Sequence, residues 1–173
     1  MITETSAKDE LFGAIDKAVS EMAGLIAALD EDQINFVPYK DSWTAGQLLR
    51  HVTKSTNGMG KAMGTKSKHA ERDPGEKIPQ LKKAFLDFST KMKSPDFIIP
   101  EEGQYEKKTS INDINKSFEQ FKDNTNKANL HDIVEGLPLG EITKLEILHF
   151  VLYHTQRHLH QLKKIYDVLK MKE

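Results

Sequence analysis

The stretch "ITKLEILHFVLYHTQRHLHQLKKIYDVLK", residues 142–170, decides the fold. It holds no proline or glycine, and its apolar residues recur every three or four positions. That spacing predicts one long amphipathic helix. Thr143 stands at the N-cap, Glu146 three residues on completes a capping box, and Ile142 and Ile147 occupy the positions of a hydrophobic staple. Lys163, Lys164, Lys170 and Lys172 gather near the other end, where the helix dipole favours cations. At about 1.5 Å per residue the helix spans roughly 40 Å.

At about 100° per residue, Ile147, Phe150, Val151, His154, His158, Gln161, Leu162, Ile165 and Leu169 fall on one face. His149 and His160 rotate to the opposite, polar side with Asp167. The histidine-rich run "YHTQRHLHQL" (153–162) therefore divides into two inward histidines and one outward.

The opening of this helix has a counterpart upstream. In "WTAGQLLRHV" (43–52), Thr44 and Gln47 form a second capping box, with Trp43 and Leu48 as the staple. The predicted helix runs to about Gly64 and places Leu48, His51, Val52, Ser55, Met59 and Met63 on one face. Two more helices follow the same period. One carries Leu11, Ile15, Val19, Met22, Ile26 and Leu29. The other carries Ile111, Ile114, Phe118, Phe121 and Thr125, with Ser110 as its cap.

The expected long helices are thus 6–29, 44–64, 108–130 and 143–170, with a minor helix inside 79–93, around "QLKKAFLDFSTKM". Residues 30–42 and 134–141 read as loops. The fold expected is all-α, one four-helix bundle domain over 1–173; a sheet of three or more strands would refute it. The connection between the second and third long helices, about 65–107, carries Pro74, Pro79, Pro95 and Pro100. A connection that long can cross the bundle end and let those helices run parallel.

Composition narrows the function. The chain has 173 residues, 29% charged and 38% hydrophobic, with a formal net charge of −1. That balance gives no case for nucleic acid or an anionic membrane as partner. No stretch approaches the roughly 18 apolar residues of a membrane span. The polar, acidic start "MITETSAKDE" is unlike a signal peptide, so a cytoplasmic location is expected. With no cysteine, any metal must be held by nitrogen and oxygen.

His154 and His158, four apart, are neighbours on one helix face, and His51 faces the core from another helix. Three nitrogens with an open position are the donor set of a catalytic metal. The competing reading is three packed core histidines. Burial without partners would cost about 1–3 kcal/mol for each unpaired group, and a shared ion would remove much of that. Gln161 could orient a ligand or the substrate, or be a hydrogen-bonded core residue. Arg157, at the edge of the face, reads as a surface ion-pair partner, with contact to an anionic substrate as the other option. "NGMGKAMGTKS" (57–67) lacks the phosphate-loop pattern, and no serine triad or dinucleotide fingerprint is present.

Together, "SWTAGQLLRHV", "EILHFVLYHTQRHLHQLKKI" and the middle segment "MKSPDFIIPEEG" resemble the DinB-like (YfiT-like) family. The resemblance implies an up-down-down-up bundle and a three-histidine site on His51, His154 and His158. It implies a divalent ion, zinc or nickel, and a homodimer. Members of this family include thiol S-transferases that use low-molecular-weight thiols and a mycothiol-dependent isomerase. The expected function is a metal-dependent enzyme activating a small thiol or water for transfer to, or hydrolysis of, a small-molecule substrate. The alternative is a non-catalytic, stress-related bundle or dimerisation module with a vestigial or structural site. A cleft reaching the histidines favours the first, a sealed core the second.

Overall fold

Capping chemistry sets the starts of both histidine-bearing helices. Thr44 Oγ1 accepts from the Gln47 amide at 3.1 Å, while Gln47 Oε1 accepts from the Thr44 amide at 3.0 Å. Thr143 and Glu146 repeat this reciprocal pair at 3.1 and 2.9 Å. The helices they open are α3 (Ala45–Gly64) and α6 (Lys144–Lys170), in a computed structural model that describes residues 4–172. Residues 1–3, which open the expected domain and its acidic start, and residue 173 lie outside the described residues.

The other helices are α1 (Glu4–Ala27), α2 (Glu31–Ile34), α4 (Ile78–Leu86) and α5 (Lys107–Lys127), with a 3-10 turn at Asp96–Ile98. Several boundaries differ from the sequence expectation, α1 and α5 ending at Ala27 and Lys127 rather than at 29 and 130. Residues 30–42 are not all loop: Asp30 and Gln33 make a capping box over α2. Ser110 does not cap α5, which begins three residues earlier. The Glu31 carboxylate, reaching over from α2, instead accepts from the Lys107 amide at 3.1–3.2 Å, a tertiary cap at the positive end of the dipole. The minor helix stops at Leu86 rather than running to about 92, because Asp87 turns back on Ser89 and Thr90. Such local side-chain bonds compete with helix continuation.

The segment 134–141 is a hairpin rather than a loop. β2 (Asp132–Leu137) pairs antiparallel with β3 (Gly140–Thr143), and β1 (Lys68–His69) pairs antiparallel with β2. The sheet has three strands, which meets the condition set for refuting an all-α chain, so that expectation is corrected to a mostly helical one. It adds to the bundle without replacing any of its helices, and β3 feeds directly into α6. Gly136 (φ 80°) and Gly140 (φ 73°) supply the left-handed backbone that the register shift and the tight turn require.

Named contacts fix the helix directions. Gly46 lies against Tyr105 just before α5, and Asn124 Nδ2 bonds the Gly60 carbonyl, so α3 and α5 run the same way. Lys107 Nζ bonds the Leu29 carbonyl while Lys122 pairs with Asp16, so α1 runs opposite to α5. Lys144 Nζ bonds the Thr65 carbonyl and His51 meets His154, so α6 runs opposite to α3. The inner faces share one core that includes Ile15, Met22 and Ile26 of α1, Leu48 and Val52 of α3, Phe121 of α5 and Ile147, Leu162 and Ile165 of α6. Among the described residues no helix is long and apolar enough to cross a membrane.

Candidate metal centre

The pairing of α3 with α6 brings three histidines to one point. His51, His154 and His158 are 1%, 5% and 8% exposed, and their potential ligand atoms all lie within 4.8 Å of one another. His51 Nε2 is 3.2 Å from His154 Nε2 and 3.0 Å from His158 Nε2. All three residues expected to face inward do so.

The outer bonds of two rings decide what their inner nitrogens are. His51 Nδ1 donates to the Ile98 carbonyl at 2.9 Å, and a carbonyl can only accept. His158 Nδ1 donates to Gln161 Oε1 at 3.0 Å. Both neutral rings therefore turn an Nε2 lone pair toward the centre, and neither can donate to the other across 3.0 Å. Such a contact is repulsive unless a cation lies between the nitrogens. Tetrahedral coordination at about 2.0–2.1 Å sets ligand nitrogens about 3.3 Å apart, close to the spacing here. The donor set fits a divalent ion of intermediate softness.

Electrostatics favour the neutral, ligating forms. Burial pushes the His158 imidazole down to about 3, with His51 adding to the fall and the Gln161 bond opposing it. Burial holds His154 well below its ordinary value, assisted by His158 and His51. His51 is lowered by burial against the opposing bond to Ile98. Trp43 packs beside His51 at 4.8 Å between ring centroids, and Phe150 beside His154 at 5.2 Å.

The long crossover completes the site. Glu101 accepts from Arg50 Nε and Lys54 Nζ, both 3.0 Å away and both on α3, and Lys54 also bonds the Ile99 carbonyl. This clamp seats the 3-10 turn so that its last carbonyl, that of Ile98, meets His51. The sequence contained no sign of it, because the group that meets His51 is a backbone oxygen.

A cleft of about 1170 Å³ reaches from exposed side chains such as Phe97 down to all three histidines and Gln161. Segment 88–95 forms part of its wall. Among the described residues Arg157 makes no surface ion pair, contrary to expectation; it bonds the carbonyls of Phe85, Asp87 and Thr90 and so pins this wall to α6. His160 is not on an open polar face either. It is half-buried and stacks on Phe88 with centroids 4.1 Å apart, at the cleft and outside the histidine cluster. His149 lies away from the cluster, with Nδ1 3.1 Å from the Tyr153 hydroxyl.

The family model of the DinB superfamily matches residues 14–162. Among solved structures, the chain is similar to TT2238, a four-helix bundle protein, with a TM-score of 0.59 and 13% identity over 91% of this chain and 98% of that one. This likeness concerns the fold. No curated protein matches the sequence.

Proposed function

Because the chain belongs to the DinB superfamily, we propose that it is a metal-dependent enzyme whose His51, His154 and His158 hold a divalent ion, zinc or nickel. The observation that carries this is the convergence of imidazole nitrogens at the floor of an open cleft, with the His51 and His158 lone pairs facing each other. A sealed core would have favoured a non-catalytic module instead.

Each side chain has a definable part. His51 and His158 ligate through Nε2 because Ile98 and Gln161 hold their protons on Nδ1. Hydrogen bonds of this kind orient ligating rings and raise their basicity. Gln161 thus acts through His158 and stands at the cleft, where its amide can also meet a substrate. Trp43, Phe85 and Phe150 exclude water from the flanks of the rings. A three-nitrogen ion with a free coordination position supplies Lewis acidity, which makes a small thiol or water a nucleophile near neutral pH. The chain has no cysteine and no recognisable serine triad, so an external nucleophile suits it.

Family resemblance favours a low-molecular-weight thiol over water, transfer over hydrolysis, and a homodimer as the working assembly. A cytoplasmic setting goes with this, since small thiols stay reduced there. The test is metal analysis of protein purified without a tag or chelator, then turnover of electrophilic aromatics or epoxides with a panel of thiols after zinc or nickel loading. Bound metal and a rate lost in His154→Ala support the proposal. No rate above free metal plus thiol across the panel returns the fold to the non-catalytic module.

A further inference from the structure

The cleft differs in charge from the rest of the molecule. The chain has a formal net charge of −1, yet among the described residues Asp41 is the one carboxylate lining the cleft. Arg50 and Lys54 line it but are paired with Glu101. Lys40, Lys61, Lys91, Lys93, Arg157 and Lys164 line it as well, and none of these six makes an ion pair among the described residues. They come from four separate parts of the chain: the loop before α3, α3 itself, the wall at 88–95, and α6. A solvated helix face would put such charges on one element beside compensating acids. Here the fold gathers them around one opening. Arg157 in particular uses its donors on neutral carbonyls rather than on a carboxylate, although the nearby Asp87 charge offsets part of its own.

Apolar surface lies among these cations. Phe88, Met92, Phe97 and Tyr39 are large apolar or aromatic side chains 40–61% exposed, and all four line the cleft. Exposed apolar surface concentrated at one opening marks a ligand site more than a solvent face. Typical ligand pockets measure about 300–1,000 Å³, so this cleft has room for a drug-sized molecule.

We infer that the cleft selects small organic anions with an apolar body, such as aromatic or aliphatic carboxylates. The apolar body would lie against Phe88, Met92 and Phe97, and the anionic group would meet the lysines and Arg157. The inference rests on the proposed function in taking the cleft as the substrate entrance, and it adds the substrate's charge and shape.

The test compares 1-naphthoate with its uncharged analogue 1-naphthamide, by calorimetry on the full chain, zinc-loaded and metal-free. Naphthoate is expected to bind about tenfold tighter, the yield of two or three partly screened ion contacts. The preference should persist in metal-free protein and shrink as salt rises from about 0.05 to about 0.5 M. It should fall at least several-fold in a Lys61→Gln, Lys91→Gln, Lys93→Gln variant, whose changes are all at exposed positions and outside the histidine cluster. Equal binding of the two probes overturns the inference. So does a preference that appears only with zinc, which would make the carboxylate a metal ligand and nothing more. An undiminished preference in the triple variant overturns it too. If zinc does not bind at all but the metal-free preference holds, the anion site stands and the metal-enzyme proposal falls.

Discussion

Gln161 is where a single residue bears most on the metal centre. Its Oε1 accepts from His158 Nδ1 and thereby leaves the His158 Nε2 lone pair facing inward. In Gln161→Leu the ring loses that partner, and a tautomer with the proton on Nε2 becomes competitive. Zinc affinity should fall about 10–100-fold, as for other partners of ligating histidines, with helical content unchanged. Isothermal titration against wild type checks this; unchanged affinity would assign Gln161 to the substrate side alone. His160→Ala should leave zinc affinity within about twofold, since its ring stacks on Phe88 outside the cluster. At this scale the inward turn of His51, His154 and His158 was legible, because 100° per residue and an apolar stripe fix direction. Their outer partners were legible only in part. Gln161 sits three residues from His158 on the same helix, whereas the Ile98 carbonyl comes from 47 residues away and carries no side-chain signal.

Among the elements, the crossover and the start of α6 each depend on one carboxylate. Glu101 holds the turn at Asp96–Ile98 against α3 through Arg50 and Lys54, and those partners lower its pKa to about 2. It is a positioning residue. Glu101→Gln should weaken zinc binding through looser seating of the Ile98 carbonyl, while melting temperature changes little because the pair is half-exposed. An equal loss in both readouts would mean a general structural role. Glu146 is different, being fully buried. It closes the capping box, accepts from the Lys77 amide and takes a bidentate contact from Arg72 at 2.7 and 2.8 Å. Burial raises its pKa, but Arg72 and the two amides outweigh this and the net direction is down from 4.5. Below pH 4.5 the unfolded chain therefore binds more protons than the folded one. The stability Glu146 contributes is present above that pH and is lost as pH falls through the lower folded value. Glu146→Gln retains the box but leaves Arg72 without its buried partner. It should cost about 3 kcal/mol at neutral pH and flatten the acid limb in denaturant titrations. A variant with an unchanged acid limb would show that Glu146 is not the group responsible. The sequence displayed the local half of this arrangement, the box; Arg72 lies 74 residues from Glu146 and no short-range pattern links them.

For the whole molecule, periodicity foretold the bundle because burial of four apolar stripes is a repeated, local signal. The hairpin at 132–143 escaped because its strands are short, Pro138 lies at the turn, and its third strand is two residues long and some sixty positions upstream. The global consequence of the site follows from where its residues sit. His51 belongs to α3 while His154 and His158 belong to α6, so an ion held by all three ties two antiparallel helices across the core. Without it the same nitrogens are buried lone pairs in repulsive contact. Zinc at about a hundredfold over its dissociation constant should stabilise the fold by about 2.7 kcal/mol. For a chain of this length that raises the melting temperature by roughly 5–11 °C. A chelator should reverse the shift. His158→Ala should show no shift, and its metal-free form should melt close to metal-free wild type, because removing the imidazole also removes its repulsive contact with His51. Differential scanning calorimetry on the two proteins, each with zinc and with chelator, makes the comparison. An equal zinc shift in both would move the ion off these histidines, and no shift in wild type would leave the cluster without a metal to hold.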